Sequence, residues 1–357
     1  MNILDDQKQI QKLKGEAVLE SIRQLDSQVK QAFQEAGKVK IPASYKNIKN
    51  ILINGMGGSG LGAHVFKSLF EKSLKVPVEI INNYILPGYV NKDTLYLACS
   101  YSGNTEEIVN SLNLAKKARA KIIGLASGGR TAEFFKKNKL PAYIFTPKFN
   151  PSNQPRLGTG YSVIGQIKLL SNLGIGSFSA GDLKTAADAI NETKKRYDYN
   201  VAAAINPAKK FAFKVKGRIP IIVAAGHLAG NAHILANQIN ETGKNFSAYF
   251  IIPELNHHLL EGLLKPDDNR KNLTFIFLQS SIYLAKNQKR LDITKKLLDK
   301  DKIPSLTYTV KSGNSLSQSF EVLVFGSYLS FYLSLLNNVR SEEVPFVDFF
   351  KAQLKQK

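Results

Sequence analysis

The stretch NQINETGKNFSAYFIIPELNHH gathers Gln238, Asn240, Glu241, Lys244, Glu254, Asn256, His257 and His258 around a short apolar run. Carboxylate, ammonium and imidazole groups at this density suit proton transfer: a carboxylate to move a proton between carbons, an imidazole to work at an oxygen, and a cation to hold developing negative charge. Each residue also has a plainer use. Glu241 can end a helix in solvent, Glu254 can pair with Lys244, and a histidine can be packed in a core. His64, His227 and His233 take that plainer use, because each lies in or beside a glycine-started helix with no second signal.

Two loops upstream suit an anion. In ILINGMGGSGLGAHVF, Gly55, Gly57, Gly58, Ser59, Gly60 and Gly62 stand between a strand and a helix, where free backbone N–H groups and the helix dipole favour negative charge. Gly55, Gly57 and Gly60 also meet the GxGxxG spacing, and Glu79 follows about 20 residues on, so a dinucleotide is an alternative ligand. In SYSGNTEEIVNSL, Ser100, Ser102, Asn104 and Thr105 offer hydroxyl and amide groups at a second strand end, and Glu106 and Glu107 suit the first turn of the helix that follows. Helix capping accounts for one of these side chains. A phosphate monoester accounts for the set.

The elements that must position these groups alternate in the rhythm of an open parallel sheet. Polar helices fill residues 1–40. Strands are predicted at 51–54, 78–81, 95–99, 122–126 and 143–146, with a helix over 105–118. A helical connector covers 184–206, placing a boundary near Lys195. A second series then follows, with strands at 219–225, 248–252, 273–279 and 306–310 and helices at 229–242, 288–301 and 315–339. The expected fold class is α/β with two domains, 41–195 with its linker helices and 196–357, each a mainly parallel sheet flanked by helices. The halves share little local sequence.

Composition narrows the function classes. A chain of 357 residues that is 43% hydrophobic can bury a large core. A single cysteine, Cys99, excludes an intramolecular disulfide and a thiolate metal cage, which fits the cytoplasm. The N-terminus lacks a secretory pattern, and the apolar run Val322–Leu336 is too short and too often interrupted by serine to span a bilayer, so it is expected to be a buried helix. The net charge of +21 suits nucleic acid, an anionic surface or phosphorylated substrates. Lysines spread along periodic helices, without clustered arginine and aromatic residues, favour a solvated basic surface over a nucleic-acid site. With neither an HExxH helix nor Cys/His clusters at zinc spacing, no metal and no other cofactor is expected.

GMGGSG over Gly55–Gly60 followed by SxSGNT over Ser100–Thr105 resembles the sugar isomerase (SIS) domains. The run around Glu241 and His257 is similar to signatures of the bifunctional phosphoglucose/phosphomannose isomerases, departing from them at Thr242, His258 and Leu259. The resemblance extends from about residue 40 to Lys351 and implies a metal-independent aldose–ketose isomerase of hexose 6-phosphates, acting by ring opening and an enediolate. It implies that Ser100, Ser102 and Thr105 hold the phosphate, with Gly57, Gly58 and Ser59 near the sugar. Glu241 matches the proton-transferring carboxylate and His257 the ring-opening histidine, with His258 next in order. Arg156, in NQPRLGTGYSV, matches an arginine that stabilises the enediolate, and Lys351, after Pro345 and Asp348, a lysine of the closing helix. A homodimer whose partner lends the histidine is implied. A non-catalytic sugar-phosphate-sensing module is the alternative, since it would keep the loops without needing Glu241, His257 or Lys351. An amidotransferase-type isomerase would need an N-terminal glutaminase domain, for which 40 residues are too few.

Overall fold

The computed structural model describes residues 2–354. Three helices open the chain, α1 (Gln7–Lys12), α2 (Glu16–Arg23) and α3 (Leu25–Gly37). Gln28 fastens α3 to later parts of the chain by donating to the carbonyls of Phe149 (2.9 Å) and Leu157 (3.0 Å).

The first sheet comprises β1 (Asn50–Gly55), β2 (Val78–Ile81), β3 (Thr94–Ser100), β4 (Lys121–Ala126) and β5 (Ala142–Ile144), all parallel in the order β2-β1-β3-β4-β5. Its crossovers include α4 (Leu61–Phe70), α5 (Glu106–Lys117) and α6 (Gly129–Lys137). Every residue of β3 is buried, as expected of a central parallel strand covered on both faces. Strand β5 ends at Ile144 rather than the expected Thr146, because the Thr146 carbonyl accepts from Gln31 of α3 (2.9 Å) and the chain turns towards that helix.

Helices α7 (Thr159–Ser171), α8 (Ala180–Tyr197) and α9 (Pro207–Val215) lead to the second half. Lys195 falls in the last turn of α8, so the connector between the sheets is that helix and the residues up to Asn206. Asn206 caps α9 and also donates to the Tyr197 carbonyl (3.0 Å). The second sheet, β6 (Ile219–Ala225), β7 (Ala248–Ile252), β8 (Leu273–Gln279) and β9 (Ser305–Thr309), is parallel in the order β7-β6-β8-β9. Its helices are α10 (Ala229–Glu241), the short α11 (Leu255–His258) and α12 (Asn269–Asn272), and α13 (Ala285–Lys300).

Helix α14 (Ser315–Leu336) is long and apolar enough to cross a membrane, yet its apolar window is wholly buried inside the fold. It stops short of the expected Val339 because Asn338 adopts a φ of +55°, a left-handed conformation that ends a helix. Helix α15 (Pro345–Leu354) closes the described chain and lies on the surface. The architecture is α/β with two parallel sheets flanked by helices, as the sequence predicts.

Candidate active site

Each sheet opens onto its first helix through a strand, a single tight turn and a helix. After β1, Gly57 takes a φ of +46° in the turn Gly57–Ser59 that leads into α4. A Cβ on Gly58 would lie 2.9 Å from the Arg156 backbone nitrogen, so only glycine lets the Pro155–Leu157 turn pack this closely on the loop.

The second loop is knitted to the first. Ser59 is buried, and its hydroxyl accepts from the Tyr101 backbone N–H (2.8 Å). Ser100, wholly buried, accepts from the Gly103 N–H (3.1 Å) and donates to Thr105 Oγ1 (2.9 Å). Ser102 is exposed, its hydroxyl weakly accepting from the Asn104 N–H (3.4 Å). Thr105 is the N-cap of α5; its hydroxyl oxygen accepts from Ser100, and its hydroxyl proton has no acceptor among the described residues, which leaves it for another partner. The loops therefore converge on a place where the start of α5, Ser102 and Thr105 can meet an anion. Glu79, the acid that a dinucleotide reading requires, lies on edge strand β2 and accepts from the Tyr89 hydroxyl instead.

Arg156 links this centre to the C-terminal segment. It is only 3% exposed, and its guanidinium donates to the carbonyls of Ser341 (2.8 Å) and Glu342 (2.7 Å) and to Gln154 Oε1 (2.9 Å). Its Nε, also buried, has no protein acceptor among the described residues. Glu241 ends α10, and burial raises its pKa against the opposing pull of Arg156, Lys244 and Lys351. The second half thus contributes a carboxylate whose three acting cations come from three separate segments.

The comparisons with known proteins agree with this layout. Residues 44–133 match the model of the SIS domain, and residues 204–354 match that of the bacterial phospho-glucose isomerase C-terminal SIS domain. The chain is 29% identical to the bifunctional phosphoglucose/phosphomannose isomerase of Caldicellulosiruptor bescii over 345 residues, covering 95% of this chain and 99% of that one. It is 26% identical to the protein of the same name from Aquifex aeolicus, over 86% of this chain and 91% of that one. The chain is built from two SIS domains and is similar over nearly its whole length to the bifunctional phosphoglucose/phosphomannose isomerases. A hypothetical protein from Thermus thermophilus shares the fold, with a TM-score of 0.75 at 15% identity, covering 99% of this chain and 94% of that one.

Gly57, Gly58, Ser59, Arg156, Glu241 and the Ser100–Thr105 loop form one region, and Lys351 acts on Glu241 from α15. His257 is apart. It is exposed on α11, and no hydrogen bond or ion pair among the described residues engages its ring. His258 pairs through Nδ1 with Glu254 (2.9 Å). Lys244 belongs to the polar run in the sequence, but the resemblance implies no role for it. Its φ of +50° curls the chain back after α10, so that its ammonium donates to the Glu241 carbonyl. Burial and the nearby Arg156 push its pKa down to about 8. Its position three residues after Glu241 is the available signal, but the backbone reversal that gives it meaning is not a sequence pattern.

Proposed function

We propose that the protein interconverts glucose 6-phosphate, and mannose 6-phosphate, with fructose 6-phosphate by ring opening and an enediolate. The observation that carries this is Glu241: a carboxylate with a raised pKa, set among Arg156, Lys244 and Lys351 beside two converging anion loops. Glu241 carries the proton between C1 and C2, since its raised pKa makes it a stronger base than an ordinary carboxylate. Arg156, already held by two carbonyls, keeps Nε for the enediolate oxygen, where fixed positive charge needs no reorganisation as the negative charge develops. Lys351 and Lys244 add to that field. Ser102, Thr105 and the first turn of α5 hold the phosphate, while the buried hydroxyls of Ser59 and Ser100 set the loops that do so.

His257 opens the ring from the partner subunit of a homodimer. Its exposure supports this, as does the uncovered apolar face of α15, where Phe346 is 90% and Phe349 67% exposed. The setting is the cytoplasmic sugar-phosphate pool of glycolysis and gluconeogenesis. The test is isotopic. With glucose 6-phosphate in D₂O, product should acquire solvent deuterium at C1, and Glu241→Gln should abolish both turnover and that incorporation; incorporation at the wild-type rate in Glu241→Gln would reject Glu241's role.

A further inference from the structure

The two halves are joined through α4 and α10. His64 and His233, each seven residues after the positive-φ glycine of its own half (Gly57 and Gly226), meet ring to ring at 4.3 Å. Towards the end of α4, Ser68 accepts from the N–H of Gly230 at the start of α10 (3.3 Å), so the helices run antiparallel. This makes them related by an approximate two-fold axis between the histidines. One end of the pair joins the Gly57–Ser59 turn to the C-terminus of α10 and is the active site. The opposite end joins the Gly226–Leu228 turn to the C-terminus of α4. Lys72 stands fifteen residues after Gly57, as Glu241 stands fifteen after Gly226.

That opposite end holds a cavity of about 510 Å³. It lies at the carboxyl ends of β6, β7 and β8, where strand order reverses and α/β sheets take ligands. Lys72, Glu71, His227 and Asn287 offer polar groups, while Ile282 and Tyr283 give an apolar wall. His227 is pre-set: Gln318 Oε1 faces its Nε2 (2.8 Å) and also accepts from the Ser280 hydroxyl (2.7 Å). Nε2 therefore carries the proton, and Nδ1 is left as an acceptor.

We propose that this cavity is a second, non-catalytic site for a sugar phosphate. Lys72 takes the phosphate, and Glu71, His227 Nδ1 and Asn287 take hydroxyls of the sugar. A lysine where the active site has Glu241 provides charge for binding and no carboxylate for proton transfer.

The test is titration calorimetry with glucitol 6-phosphate, which has no carbonyl and cannot isomerise. Wild type should bind two molecules per chain. Lys72→Glu and, separately, the cavity-filling Asn287→Trp should each leave one, with isomerase activity retained as the control for folding. Ser102→Ala with Thr105→Val should remove the other. A stoichiometry or affinity unchanged by both Lys72→Glu and Asn287→Trp would overturn the second site. Binding that Lys72→Glu and Asn287→Trp reduce to one molecule but that Ser102→Ala with Thr105→Val leaves at two would count against the proposed phosphate loop and leave the second site standing.

Discussion

The imidazole of His64 meets that of His233 edge to face, with planes at 75°, and His233 stacks on Tyr249 with centroids 4.6 Å apart. Burial, His233 and Lys67 push the pKa of His64 down to about 4, and burial lowers that of His233. Between the ordinary value of 6.5 and about 4, the unfolded chain binds a proton at His64 that the folded chain refuses. Stability from this group is therefore complete above pH 6.5 and declines as pH falls towards 4. Denaturant midpoints from pH 7.5 to 4.5 should show a smaller acid loss in His64→Gln than in wild type; equal slopes would contradict the coupling.

Replacing Glu241 with Gln keeps the shape and removes the base. Turnover should fall by about 10³-fold, within the range a positioned general base supplies, while the KM for fructose 6-phosphate changes little. Because Glu241's pKa is raised, the acid limb of kcat/KM in wild type should lie above the ordinary carboxylate range, with the rate falling as pH drops through it. Steady-state kinetics against pH read both effects.

Arg156→Lys tests the fork geometry. A lysine cannot bridge the carbonyls of Ser341 and Glu342 while also presenting a donor to substrate. Activity should drop by about 10²-fold, and an unmet buried carbonyl should cost about 1–3 kcal/mol of stability. Paired measurements of kcat and thermal midpoint must both fall; a normal kcat would remove Arg156 from the reaction.

Thr105→Val should raise the KM for glucose 6-phosphate by about 10-fold, the scale of one hydrogen bond to a charged group. Its kcat should stay near the wild-type value, because the role proposed for the hydroxyl is at the phosphate and not at the reacting carbons. An unchanged KM would move the phosphate elsewhere.

If His257 works across a dimer, two inactive chains can restore each other. Mixing Glu241→Gln with His257→Ala and letting subunits reassort should return about a quarter of wild-type activity, since half the dimers are hybrids and each has one intact site. No recovery with demonstrated exchange would place His257 outside the partner's site.

The sequence was most informative where chemistry sits on sheet ends. Strands β2, β6, β7 and β8 match their expected bounds, because parallel strands read as apolar runs flanked by turn signals. The loops at Gly57 and Ser100 were legible for the same reason. Element ends governed by distant contacts were not, as with Thr146 turning to Gln31. Nor could alternation alone reveal that Ser100 points into the protein and Ser102 outward, or that a positive φ brings Lys244 back to Glu241. The two-fold relation between halves is carried by backbone turns and helix packing, so it leaves little trace in residue identity.

The protein should isomerise both hexose epimers without a metal. Purified, chelator-treated protein should convert fructose 6-phosphate into glucose 6-phosphate and mannose 6-phosphate together, and Glu241→Gln should form neither. Failure of the wild-type protein to form either product, while it still binds fructose 6-phosphate, would contradict the enzyme and leave a sugar-phosphate-binding protein.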